Sequence, residues 1–160
     1  MTPETDPRDL SLELVLNAPR RAIWRCWTEA PLLTQWFTPA PWTTPEADLD
    51  PRPGGRMNTL FRGPDGAEMR NRGVFLELTP HERLVFTDAF SEGWLPAAEP
   101  FMTGIIVLKD AGPGKTAYSA LARHWTDASR DAHVAMGFEA GWTQAARQLE
   151  ALAQSLPTDD

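Results

Sequence analysis

From Ser129 to about Ser155 the chain runs without a proline, although it carries 15 of them in 160 residues. Along this run and just past it Val134, Phe138, Trp142, Ala145, Leu149, Leu152 and Leu156 recur every three or four positions, opposite Arg130, Glu139, Arg147 and Glu150. That period is helical and lays one apolar stripe along one face. Thr126 or Asp127 caps the start, and Pro157 ends the helix. About 27 residues rising 1.5 Å each make a rod of roughly 40 Å, long enough to cross a whole sheet. Such a stripe needs a broad apolar surface to lie against, and the rest of the chain must supply it.

The remaining patterns supply a sheet. Leu10, Leu12, Leu14 and Leu16 alternate with Ser11, Glu13 and Val15, the period of a half-buried strand. Asn17-Ala18-Pro19 stops it, and Pro19 suits a helix start because its missing N–H would be unpaired there. A short helix to about Glu29 follows, then a second opened by Pro31 and ended by Pro39 and Pro41. Between Trp42 and Trp125 the turn clusters Gly54-Gly55, Gly63-Pro64-Asp65-Gly66, Thr79-Pro80-His81-Glu82 and Ala111-Gly112-Pro113-Gly114 separate strand-length runs, so about six antiparallel strands fit there. Phe90 to Pro100, rich in Pro, Gly and Ala, reads as a long loop at a cavity mouth. The order predicts an α+β domain over 10–156, with a curved antiparallel sheet of about six to seven strands around the C-terminal helix. Residues 1–9 and 157–160 are expected to be flexible.

Charge narrows the partners. A formal net charge of −7 repels a nucleic-acid backbone or an anionic membrane, so neither nucleic acid nor a stable membrane association is expected. Met1 to Leu10 offers no apolar stretch for a signal peptide, and a lone Cys26 gives no disulfide, which together predict a cytoplasmic protein. No familiar catalytic or phosphate-binding motif appears. The three histidines lack metal-ligand spacing, so neither a metal nor a cofactor is expected.

His81 lies in a turn and reads as solvated, whereas His124 closes the last strand and His133 begins the long helix, at the same end of the sheet. Gly137 and Gly141 sit one turn apart in that helix, each at a cost of about 1 kcal/mol relative to alanine, which suggests either a close backbone approach or room for a ligand. Trp24, Trp27 and Trp142 occupy core positions. Trp36, Phe37, Trp42, Trp94 and Phe101 lie at element ends or in the long loop, where an aromatic wall forms naturally, and Phe61, Phe75, Phe86 and Tyr118 add strand aromatics. The register of Arg70, Arg72 and Asp88 stays open, since a slip of one residue reverses the face. Cys26 reads as a small buried hydrophobe.

Ala18-Pro19, Trp24, Trp27-Thr28, Leu33, Trp36-Phe37 and Pro39 resemble the opening of one branch of the SRPBCC, or START-like, superfamily, the branch named after the activator of the heat-shock protein 90 ATPase. Gly54-Gly55-Arg56, Asp65-Gly66, Gly73-Val74, Glu77, Pro80, Glu82-Arg83-Leu84-Val85 and Thr87 continue the resemblance. His133, Met136-Gly137-Phe138, Gly141-Trp142 and Gln148-Leu149 complete it. The resemblance implies a helix-grip fold with a cavity that binds a small hydrophobic or amphipathic molecule, lined by Trp36, Phe37, Trp42, Phe61, Phe75, Phe86, Trp94, Phe101, Tyr118, His124, His133, Gly137 and Gly141. Binding is expected ahead of catalysis. The alternatives are a cyclase-like or hydrolase-like enzyme using a cavity histidine, and a co-chaperone; a homodimer is compatible with each.

Overall fold

The alternating leucines become strand β1 (Asp9–Leu16), which pairs antiparallel with the last strand, β10 (Thr116–His124), from Asp9 opposite Arg123 to Leu16 opposite Thr116. A computed structural model describes residues 6–157; 1–5 and 158–160, parts of the ends expected to be flexible, lie outside the described residues. Helices α1 (Arg20–Thr28) and α2 (Ala30–Leu33) follow β1. Then come β2 (Thr43–Leu49), β3 (Met57–Arg62), β4 (Glu68–Asn71), β5 (Val74–Thr79), β6 (Arg83–Thr87), β7 (Phe90–Ser91), β8 (Leu95–Pro96) and β9 (Met102–Asp110). After β10, α3 (Asp127–Ala135) and α4 (Phe138–Ser155) end the fold.

The architecture is α+β, as the pattern implied. One antiparallel sheet has the order β1-β10-β9-β6-β5, and a second the order β2-β3-β4. The two are stitched where β3 begins: Arg56 bridges Val74, Met57 N–H donates to the Gly73 carbonyl over 2.8 Å, and Gly54 N–H to the Phe75 carbonyl over 2.7 Å. The segment read as a long loop holds a small hairpin instead, β7 against β8. Positive φ at Gly93 (85°) and Trp94 (61°) turns it, a conformation that glycine admits freely.

One core joins the layers. Leu16, Ile23, Leu33, Leu84, Ile106 and Leu149 are fully buried, each contributing about 1.5–3 kcal/mol by leaving water. Helix α1 buries Ala22, Ile23, Cys26 and Trp27, and α4 buries Ala145, Ala146, Leu149 and Ala153 in the same cluster. No helix of the described residues is long and apolar enough to cross a membrane.

The single rod expected at the C-terminus is two helices. The break is at Gly137, which takes φ 87° and ψ 43° between α3 and α4. This left-handed conformation costs other residues about 1–2 kcal/mol through a Cβ clash. Apolar spacing survives the break in sequence but not in space, since Val134 is 52% exposed and the buried stripe starts at Phe138. No atom lies within 4 Å of where a Gly137 Cβ would be. Close packing does not account for this glycine; its backbone angle does. Gly141 has only an ordinary contact, with Pro39 Cγ at 3.7 Å. Gly137→Ala should therefore lower unfolding free energy by about 1 kcal/mol, read from urea denaturation, whereas a regular helix interior would gain from the same change.

Candidate functional site

Between α1 and the sheet, the aromatic residues close on one another. Trp27 meets Trp36 at a ring-centroid distance of 4.9 Å, Phe37 at 5.5 Å and Phe86 at 5.6 Å, and Phe37 meets Phe61 at 5.9 Å. Trp36 Nε1–H donates to the Cys26 carbonyl at 2.9 Å. Phe86 covers Gly104, where a Cβ would come within 2.4 Å of its ring. Phe75 and Tyr118 are buried nearby in the sheet. Thus the expected ligand-lining residues Trp36, Phe37, Phe61, Phe75, Phe86 and Tyr118 pack the interior with their own rings. One polar atom there is unmet: Trp27 Nε1–H is buried without an acceptor. The Tyr118 hydroxyl lies near it but outside hydrogen-bond geometry, and burial pushes this phenol above its usual range against a smaller opposing pull from the indole N–H.

An open groove lies elsewhere. A cavity of about 790 Å³ runs between α2, the β2-β3-β4 sheet and the β7-β8 hairpin. Pro31, Pro45, Leu60 and Leu95 give it apolar wall, and Asn58, Asn71, Arg70 and Arg72 give it polar wall. This answers the open register of the two arginines: both border the groove. Around it Arg56 binds Asp48 at 2.9 Å and Glu92 at 3.3 Å, and Arg70 leans on Glu46 at 3.7 Å. Arg72 has no acidic partner among the described residues. None of the aromatic, histidine or glycine positions expected to line a pocket borders this groove.

The histidines form a third feature. His124 Nδ1 lies 2.8 Å from the Arg8 carbonyl, and His124 Nε2 lies 2.9 Å from His133 Nδ1. A carbonyl only accepts, so His124 Nδ1 carries the proton; in a neutral pair His133 Nδ1–H then donates to His124 Nε2. His133 Nε2 keeps its lone pair. Phe101, Phe138 and Trp142 pack around His133 at centroid distances of 5.1, 5.0 and 5.7 Å. Burial, and then the neighbouring His124, push the His133 imidazole down to about 4.

The other expected positions scatter. Trp42, 39% exposed, rests on Gly63, and Trp94, 55% exposed, stacks on Phe90 and Gly54. Asp88 accepts the Phe101 and Met102 amides at 2.9 and 3.1 Å, which pins the approach to β9. His81 stands edge-on to Trp24. Burial pushes the Cys26 thiol up to about 12, so it behaves as the buried hydrophobe expected. Among the described residues no group of three or more His, Cys, Asp or Glu is placed to hold a metal. The groove residues Thr34, Asn58, Asn71 and Ser91 carry no motif; they converge from separate elements, and only the arginine pair signalled the place.

Comparison with known proteins adds family context. The family model described as Activator of Hsp90 ATPase homolog 1-like protein matches residues 17–154. Protein NE0264 from Nitrosomonas europaea, a crystal structure, is 39% identical with a TM-score of 0.89, covering 94% of this chain and 97% of its own. Protein CV1439 from Chromobacterium violaceum is 26% identical with a TM-score of 0.74, covering 94% and 100%. A solution structure from Arthrobacter aurescens, 20% identical with a TM-score of 0.79, covers 98% and 92% and shares the fold. No curated protein matches the chain.

The histidine pair sets a pH dependence. A folded-state value near 4 lies below the ordinary 6.5 of an unfolded histidine. Between these values the unfolded chain holds more protons, so stability present above pH 6.5 is lost as pH falls toward 4, by up to about 1.4 kcal/mol per unit. Ring-nitrogen NMR should show His133 titrating near 4, with both rings protonated on Nδ1 at pH 7; a midpoint near 6.5 would contradict the burial argument.

Proposed function

The chain belongs to the family described as Activator of Hsp90 ATPase homolog 1-like protein, and from that premise we propose that it binds a small amphipathic molecule in the groove between α2, the β2-β3-β4 sheet and the β7-β8 hairpin. The observation that carries this reading is the groove itself. Its volume of about 790 Å³ lies within the roughly 300–1,000 Å³ of small-molecule pockets, and its wall mixes apolar and polar residues. With Asp48 and Glu92 bound by Arg56 and Glu46 beside Arg70, the charge left for a ligand is that of Arg72. A carboxylate or similar anionic head suits it, with the apolar body against Leu60, Leu95, Pro31 and Pro45.

A second reading has its own observation. Trp27 Nε1–H lacks an acceptor in the aromatic interior, and such an unmet donor costs about 1–3 kcal/mol. A ligand oxygen that displaced ring contacts there would recover that cost, and the site would then be the interior one the aromatic residues suggested.

Titration with an anionic aminonaphthalene fluorophore separates the two. For the groove, Arg72→Ala should weaken binding about two- to five-fold, the range of an exposed charge pair. Leu95→Asp should weaken it more, and Trp27→Phe should leave it unchanged. Loss of binding in Trp27→Phe alone moves the ligand to the interior; unchanged affinity in both groove variants removes the groove from consideration.

A further inference from the structure

The one buried residue of helix α3 is a histidine. Of residues 127–137, His133 alone is buried, at 7% exposure, while Val134 and Met136 are 52% and 68% exposed. Its Nδ1 meets His124 Nε2 at 2.9 Å, and His124 is anchored in turn on the Arg8 carbonyl at 2.8 Å. At its far end α3 joins α4 through Gly137, whose left-handed backbone has no atom near its missing Cβ. At its near end a capping bond from Ser129 N–H to Thr126 Oγ1, 3.0 Å, and a bond from Arg8 Nη1 to the Trp125 carbonyl, 3.1 Å, fix the entry. The helix thus combines a single docking residue with a hinge.

That docking residue titrates. In the neutral pair, protons run from His133 Nδ1 to His124 Nε2 and from His124 Nδ1 to the Arg8 carbonyl. One added proton, on His133 Nε2, preserves the bond between the rings but leaves a cation among Phe101, Phe138 and Trp142. From β10 the charged neighbour is Arg123, bound to Asp9 at 2.9 Å; from the N-terminal turn it is Arg8, bound to Asp6 at 2.9 Å. Helix α3 brings Asp127, Arg130 and Asp131, and α4 brings the exposed Glu139. No carboxylate among these bonds to either ring. Arg130, one turn before His133, has its Nε buried without a partner and its Nη2 on Asp131 at 2.9 Å.

We propose that α3 is a proton-released latch: protonation of His133 undocks the helix, which turns about Gly137 and uncovers Phe101, Phe138 and Trp142. The latch goes beyond the groove reading and does not depend on it. It opens an apolar surface in response to acid while the sheet stays folded.

The full chain, labelled with nitrogen-15, tests this by titration from pH 7.5 to about one unit below the docked histidine value, following both histidine rings, the backbone dynamics of 127–136 and the amide protection of β9 and β10. The order of 127–136 should fall with the ring titration, the released population rising about tenfold per pH unit between the docked and free histidine values, while β9 and β10 stay protected. His133→Asn puts an amide N–H where Nδ1 was, keeps a donor for His124 and cannot titrate there; its α3 should remain docked at least one pH unit lower. Unchanged order of α3 through the ring titration overturns the proposal. So does loss of α3 and the sheet at one common midpoint, a comparison within the wild-type chain that decides the matter even where the variant does not fold.

Discussion

The seating of α4 on α1 and β1 is the constraint from which the remaining geometry follows. Ala145, Ala146 and Ala153 are buried on its inner face around Leu149, and side chains this small let the helix sit close. Its polar residues then fasten what surrounds it. Gln148 Nε2 donates to the Trp36 carbonyl at 3.0 Å and the Thr38 carbonyl at 2.7 Å, and Gln154 to the Asn17 carbonyl at 2.9 Å. Glu150 accepts the Asn17 amide at 2.7 Å. The turn before α1 and the segment after α2 are both tied to one helix, and so Trp36 and Phe37 are carried against Trp27.

The open groove lies outside that aromatic interior, where α2 faces β2 and the small hairpin. Amphipathic character arises there from ordinary strand alternation: Glu46, Leu60 and Arg70 stand directly across from one another on β2, β3 and β4, so a leucine lies between charges of opposite sign. The groove is a by-product of a second sheet that is stitched to the first only at the start of β3.

How much of this was legible in the chain depends on the range of the cause. The alternating leucines of β1, the turn clusters and the capping Thr126 act within a few residues, and each produced the element it implied. Gly137 was misread because an apolar period of three to four continues across a helix break, and nothing local distinguishes a glycine in a regular helix from one at φ 87°. Which aromatic residues border open space is hidden for a different reason. Aromatic residues at element ends serve equally to line a cavity or to fill it, and which happens is decided by neighbours distant in sequence, as when Gly104 admits the ring of Phe86. The histidines were legible as residues at one end of the sheet, but their hydrogen bond depends on the break that places α3.

The pairing of β1 with β10 has a consequence for synthesis. Asp9 finds Arg123 across 114 positions, so β1 leaves a ribosome long before its partner strand. At roughly 5–20 residues per second, its backbone donors and acceptors wait several seconds for a partner. Long-range closure of this kind slows folding, and an unpaired strand with leucines on one face is a template for association with another nascent chain. The acids at its start, Asp6 just before and Asp9 and Glu13 within, put like charge on every copy of that strand during the interval, a repulsion that shields the unfinished sheet until its own last strand arrives.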